Sequence, residues 1–210
     1  MGEIYARFIK RFIDVVLSFI GIIVLIIPLL IVAVIIKIDS PGPVFFKQKR
    51  IGLHKKEFYI LKFRSMPTTV PKDMPTHLFK AEDILTPWQK FMRKMSIDEL
   101  PQIWCIFIGT MTIIGPRPAL WNQYDLIEER DKYGANDIKP GLTGLAQISG
   151  RDELPIEIKA ELDGKYAKEM SLWLDIKLFV GTIFSVLKSD GVVEGGTGKL
   201  EEKETELIEK

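Results

Sequence analysis

The chain has 210 residues, a formal net charge of +1, one cysteine and two histidines. That length suits one domain with appendages, and the near-neutral balance offers no overall basic field for nucleic acid. The lone Cys105 excludes an internal disulfide framework, and with only His54 and His77 neither a zinc site nor a Ser-His-Asp triad finds support, so any metal falls to oxygen ligands, which favours magnesium or manganese.

From Val15 to Ile36 the chain is apolar apart from Ser18, Gly21 and Pro28. As a helix this run is about 33 Å long, enough to cross a bilayer. A cleaved signal peptide is not expected, because the run is too long. Positive charge flanks both ends: Arg7, Lys10 and Arg11 before it, Lys37, Lys47, Lys49 and Arg50 after it. A spanning helix puts one group on the non-cytoplasmic side, against the positive-inside tendency. A re-entrant helix, broken at Pro28 and leaving by the face it entered, keeps both groups cytoplasmic. A kinked spanning helix is the other reading, since proline is tolerated in those.

Residues 43 to 64 predict a β-hairpin, with strands at Val44–Phe46 and Phe58–Leu61 and "GLHKK" as the turn. Residues 66 to 86, interrupted by Pro67, Pro71 and Pro75, predict a long loop. In "TPWQKFMRKM", Trp88, Phe91, Met92 and Met95 recur at helical spacing with Lys90, Arg93 and Lys94 on other faces. This is a basic amphipathic helix, suited to a membrane surface or to an ordinary core.

"MSIDELPQIW" follows at residues 95 to 104, with Asp98 and Glu99 side by side and no other acid within ten residues on either side. Ser96-x-x-Glu99 fits a capping box, in which Glu99 reaches back to the Ser96 amide. Asp98 would then sit in a first helical turn, where the helix dipole favours negative charge. "LPQIWCIFIG" predicts a short apolar helix and residues 172 to 188 another, which carries Asp175 and two lysines. Both suit a core or a membrane interface. The tail from Gly195, glycine-rich and then highly charged, has no apolar face to bury.

Two Pro/Gly loops present fixed guanidiniums: "GPRP" with Arg117, and "KPGLTGLAQISGR" ending in Arg151. Arginine suits phosphate because its planar fork donates two parallel hydrogen bonds, and glycine lets backbone amides approach an anion. Solvated surface turns are the plain alternative for each. Neither loop is a Walker or dinucleotide fingerprint. "KFRSM" adds Lys62 and Arg64 at the end of the hairpin.

In this order, "IKRFIDVVLS", the proline-broken apolar run, "LKFRSM", "SIDELPQIW", "IIGPRP", "KPGLTGLAQISGR" and "ELDGKYA" form a specific set. The chain resembles the monotopic phosphoglycosyl transferases of bacteria, the small catalytic-core form of the bacterial sugar transferases, over about residues 4 to 190. The resemblance implies transfer of a phosphosugar from a UDP-sugar to a polyprenol phosphate, usually undecaprenyl phosphate, with release of UMP. That is the first membrane step in making surface glycans such as capsule and exopolysaccharide. It implies Asp98 as nucleophile, forming a covalent aspartyl-phosphosugar, and Glu99 as a ligand of magnesium. Lys62, Arg64, Arg117, Arg151 and, more distantly, Arg93 are then phosphate-binding candidates, and Asp163 of "ELDGKYA" is a metal-site or supporting acid. It also favours re-entry at Pro28.

The expected fold is α+β and mainly helical. Residues 1–38 form the re-entrant membrane helix, 39–190 a catalytic core with a β-hairpin and interfacial amphipathic helices, and 191–210 a flexible charged tail. The expected setting is the bacterial inner (cytoplasmic) membrane, with the core facing the cytoplasm, membrane lipids as partners, no nucleic acid, and a homodimer left open. Two positions depart from the family's usual pattern: Ile27 stands where a serine often precedes the proline, and Leu145 where many members have tryptophan. A membrane-anchored scaffold without catalysis is the competing reading. A metal-dependent glycosyltransferase releasing UDP is disfavoured by the absence of a D-x-D motif.

Overall fold

The apolar run folds as one helix, α1 (Lys10–Asp39), led in by a π-helical turn at Tyr5–Ile9. This computed structural model describes residues 5–69, 84–150 and 154–188. The predicted loop at 66–86 and the charged tail lie largely or wholly outside them. Pro28 lies inside α1, and the helix continues through it rather than ending there. Among the described residues, α1 is the one helix long and apolar enough to cross a membrane.

Both ends of α1 pack on the same body. At its start, Lys10 Nζ lies 2.5 Å from Asp175 Oδ2, and Tyr5 donates to the same oxygen at 2.6 Å. Asp14 accepts from Thr112 Oγ1 at 2.7 Å and from the Ile113 amide at 3.0 Å. Arg11 donates to the carbonyls of Ile106 and Phe107 at 2.7 and 2.8 Å. At its end, Ile36 is buried with Phe63 and Met92, and Leu29, Val32 and Ala33 pack around them. Between these anchorages Ile23, Val24, Ile26 and Ile27 are each more than half exposed.

The hairpin forms with longer strands than the sequence suggests: β1 (Phe45–Ile51) and β2 (Glu57–Phe63) pair antiparallel, Phe45 opposite Phe63 and Ile51 opposite Glu57. The Phe45 and Phe63 rings stack at 5.4 Å. His54 and Lys55 take left-handed backbone angles in the turn.

The basic helix is α2 (Pro87–Lys94), and it carries the capping box that the sequence placed ten residues later. The Gln89 amide donates to Thr86 Oγ1 at 3.2 Å, and the Thr86 amide donates to Gln89 Oε1 at 3.3 Å. Met92 is fully buried while Phe91 stays half exposed, so α2 serves mainly as a core helix. A 3₁₀ segment, Ile97–Gln102, leads into the short apolar helix α3 (Ile103–Ile108).

Beyond α3 the chain makes β3 (Thr112–Ile114), α4 (Tyr124–Asp131), β4 (Gly141–Thr143), α5 (Leu145–Ser149), α6 (Ile156–Glu169) and α7 (Leu172–Lys188). β3 and β4 pair parallel, Thr112 opposite Gly141 and Ile114 opposite Thr143. The core of this half is Ile114, Tyr166 and Leu178. Tyr166 Oη donates to Asp175 Oδ1 at 2.6 Å, which joins α6, α7 and the start of α1 in one buried polar cluster. The result is a mainly helical α+β fold with two small sheets.

Candidate active site

The Asp98–Glu99 pair sits in the 3₁₀ segment, and the predicted capping box around it does not form. Ser96 takes φ 54° and ψ 25°, and its side chain makes no cap bond. A capping residue needs extended angles to aim its oxygen at the next turn. Ser96 instead finishes α2, its amide bonding the Arg93 carbonyl at 3.0 Å in the manner of a left-handed helix end.

Glu99 is thereby free of the helix start, and it turns to two cations. Lys62 Nζ, from β2, lies 2.8 Å from Oε1. Arg117 donates from Nη2 to Oε1 at 2.5 Å and from Nη1 to Oε2 at 3.1 Å, a two-pronged grip. Burial pushes the Glu99 carboxyl up, but the charges and hydrogen bonds of Arg117 and Lys62 more than offset it and hold it well below the usual carboxylate range. Burial pushes the Lys62 ammonium down, beyond what Glu99 and Asp98 restore.

Asp98 is buried beside Glu99 and accepts from Ser65 Oγ at 3.2 Å. Burial pushes its carboxyl up, Glu99 adds to the rise, and Lys62, Arg93 and the Ser65 hydroxyl only partly oppose it. The sequence expected a helix dipole to hold Asp98 ionised; here desolvation prevails instead. Two adjacent carboxylates are thus driven in opposite directions, the pattern by which a site separates a reactive group from a fixed one.

The two Pro/Gly loops meet over the β3–β4 pair. Gly115 donates to the Thr143 carbonyl, and Gly141 to the Pro116 carbonyl, each at 2.8 Å. A Cβ on Gly141 would stand 2.1 Å from the Gly115 nitrogen, and one on Gly144 2.2 Å from the Gly115 oxygen. These glycines let two backbones cross, whereas the sequence suggested amides approaching an anion. Arg117 leaves this crossing toward Glu99. Its loop is also tied to the hairpin: the Ile51 amide donates to the Ala119 carbonyl at 2.9 Å, and Arg50 Nη1 to the Pro118 carbonyl at 2.9 Å.

Of the predicted residues, Asp98, Glu99, Lys62 and Arg117 come together, and Arg93 acts on Asp98 through its charge. Arg64 faces elsewhere: Nη2 donates to Ser40 O at 2.7 Å and Nη1 to Pro41 O at 2.6 Å, which fastens the exit of α1. Asp163 pairs with Arg130, at 2.9 Å from Nε and 2.5 Å from Nη2, and not with Glu99. Arg151 lies outside the described residues. Sequence reading missed Ser65, although it directly follows the basic pair of "KFRSM". It also missed Arg130, whose only sequence signal is an arginine among the acids of α4. No three His, Cys, Asp or Glu side chains cluster among the described residues.

The bacterial sugar transferase family model matches residues 5–189. The uncharacterised sugar transferase EpsL of Bacillus subtilis is 40% identical over 158 residues, 75% of this chain and 77% of that protein. The UDP-glucose:undecaprenyl-phosphate glucose-1-phosphate transferase of Escherichia coli is 38% identical over 187 residues, covering 85% of this chain and 40% of that protein. The UDP-N-acetylgalactosamine-undecaprenyl-phosphate N-acetylgalactosaminephosphotransferase of Aeromonas hydrophila is 36% identical over 195 residues, 90% of this chain and 46% of that one. The chain therefore spans less than half the length of these last two relatives. With a family model covering nearly all of the described residues, the chain belongs to the bacterial sugar transferase family.

Proposed function

We propose that the chain transfers a sugar phosphate from a UDP-sugar to undecaprenyl phosphate and releases UMP, with Asp98 as the nucleophile. The observation that carries this is the contrast within the dyad: Glu99 is fixed between Lys62 and Arg117, while Asp98, adjacent and buried, is left as the more basic carboxylate. The names of the relatives supply the reaction class.

In the first step an ionised Asp98 oxygen attacks the phosphorus that bears the sugar. The bond from that phosphorus to the UMP oxygen breaks, UMP leaves, and the sugar phosphate rests on Asp98. A phosphate oxygen of undecaprenyl phosphate then attacks the same phosphorus and returns Asp98 as a carboxylate. Splitting one displacement into two is what a carboxylate nucleophile offers. Ser65 orients Asp98, and Lys62 and Arg117, both gathered at Glu99, offer positive charge to the diphosphate.

Magnesium fits this donor set, because that ion typically takes one or two carboxylates and completes its shell with substrate phosphates and water. Glu99 would hold it, with Asp98 adjacent, and it would supply charge to offset the departing UMP. Both Glu99 oxygens already accept hydrogen bonds, so the ion would compete with Arg117 for them.

We also read α1 as re-entrant, in a bacterial inner membrane with the core on the cytoplasmic side. A helix that grips one body through Tyr5, Lys10 and Asp14 at its start and Ile36 at its end, baring Ile23 to Ile27 between, keeps both ends on one side. The basic residues at both flanks agree with that arrangement.

The testing experiment is a UMP-release screen of UDP-sugars with undecaprenyl phosphate and magnesium, since the relatives' names divide between different sugars. Wild type should release UMP with at least one donor, and Asp98→Asn should release none while still folding and binding membrane. Near-normal turnover by Asp98→Asn removes it as nucleophile. UDP as the product points to direct glycosyl transfer, and no product with any donor points to a scaffold.

A further inference from the structure

The Asp163–Arg130 pair is buried behind the site and plays no part in the steps above. Its side chains are 1% and 6% exposed. One carboxylate oxygen, Asp163 Oδ2, takes both Nε and Nη2 of Arg130, at 2.9 and 2.5 Å. Nη2 also donates to the main-chain carbonyl of Arg117 at 2.9 Å. Gly164 lets α6 come this close: a Cβ there would stand 2.2 Å from the Tyr133 Cβ, just past the end of α4.

The sequence offered Asp163 as a metal-site acid. Its Oδ2 is occupied by Arg130, and no group of three or more acids, histidines or cysteines able to hold a metal ion forms among the described residues, which points another way. We propose that Asp163 and Arg130 are positioning residues, which fix the Arg117 backbone so that its guanidinium reaches Glu99 and the substrate phosphates. This rests on the phosphate-binding role proposed for Arg117.

The Arg117 side chain is 42% exposed, while its partner Lys62 is 13% exposed. A long, half-exposed side chain keeps rotamer freedom that costs binding energy when it is fixed. Holding its main chain removes part of that freedom beforehand. An arginine at position 130 can do this because its planar fork bonds an acid and a carbonyl together, which a single ammonium cannot match. Asp163 in turn keeps the buried guanidinium paired, without which it would carry an uncompensated charge.

The test uses the full chain in lipid nanodiscs with Arg130→Lys, and Arg130→Met/Asp163→Leu as a second variant that replaces the pair by apolar groups. The expected result is a KM for the UDP-sugar raised about tenfold, with UMP binding in magnesium weakened equally. A merely structural pair would lower only the fraction of active enzyme, hence kcat, and leave KM and UMP affinity at wild-type values. That second pattern in a folded variant overturns the proposal. Asp163→Asn should leave the magnesium concentration for half-maximal activity unchanged, and a raised requirement overturns it in favour of a metal ligand. If wild type turns over no UDP-sugar, the functional reading fails by itself. Amide exchange then judges the brace: faster exchange at the Arg117, Ala119 and Leu120 amides in Arg130→Lys supports it, and unchanged exchange there refutes it.

Discussion

Lys62 Nζ faces Glu99 Oε1 at 2.8 Å, with both side chains largely withdrawn from water and Arg117 closing the far side of the carboxylate. A buried carboxylate, Asp98, a largely covered one, Glu99, and two cations thus balance in one small volume. Lys62→Met breaks that balance and leaves buried negative charge short of a partner, at a cost of about 3–5 kcal/mol. Thermal unfolding should show the loss, and Lys62→Arg should recover most of it. A Lys62→Met protein as stable as wild type would mean that Glu99 is balanced by Arg117 alone.

Acid should silence the enzyme earlier than it would an ordinary carboxylate. Burial and then Glu99 raise the Asp98 carboxyl, against the opposing charge of Lys62 and Arg93. With Asp98 as the proposed nucleophile, only its ionised form would attack, so kcat/KM should be full above that raised value and fall tenfold for each pH unit below it. Arg93→Gln removes a charge that favours ionisation and should move the acid limb to higher pH. A limb at the ordinary aspartate position, unmoved by Arg93→Gln, would assign the titration to another group.

Arg64 distinguishes a phosphate ligand from a clamp. Both its terminal nitrogens are spent on the Ser40 and Pro41 carbonyls at the exit of α1. Arg64→Ala should cost about 3 kcal/mol of stability, by the loss of charged hydrogen bonds and burial of their acceptors. KM for the UDP-sugar should hardly change. A large rise in KM with unaltered unfolding would restore Arg64 to the phosphate site.

Asp175 is the hub through which the start of α1 meets α6 and α7, taking Tyr5, Lys10 and Tyr166. Asp175→Asn leaves the Lys10 ammonium buried without a counter-charge, and a loss of about 3–5 kcal/mol is expected. Asp175→Asn/Lys10→Met should recover part of it. Unfolding in detergent measures both.

Topology is open to labelling, since the native Cys105 is buried and gives little background. Cysteines placed at Glu3 and Lys47 should both react from the cytoplasmic side of the membrane. Reaction of the Glu3 site only from outside would make α1 a spanning helix.

Elements with a strong period were legible in the sequence. The α7 bounds at Leu172–Lys188, the hairpin and the apolar α1 follow from composition and spacing alone. The Asp98–Glu99 site was legible as a motif, but its electrostatics were not. "SIDE" reads as a helix start, and only the left-handed Ser96 shows that it closes the helix before. Arg64 and Lys62 look alike two residues apart in "KFR", yet β2 ends at Phe63, so strand alternation no longer governs where Arg64 points. Asp163 lies 64 positions beyond Glu99, and no local signal in the chain says that Arg130 reaches it first.

The crossing of Gly115 with Gly141 and Gly144 has a bearing on engineering. Each loop leaves room for the other's main chain and for nothing more. Either loop borrowed from a relative therefore cannot be installed on one side alone. The stretch around "GPRP" and the stretch around "PGLTG" form a single transplantable unit, and chimaeras that exchange both together should survive where single-loop exchanges collapse.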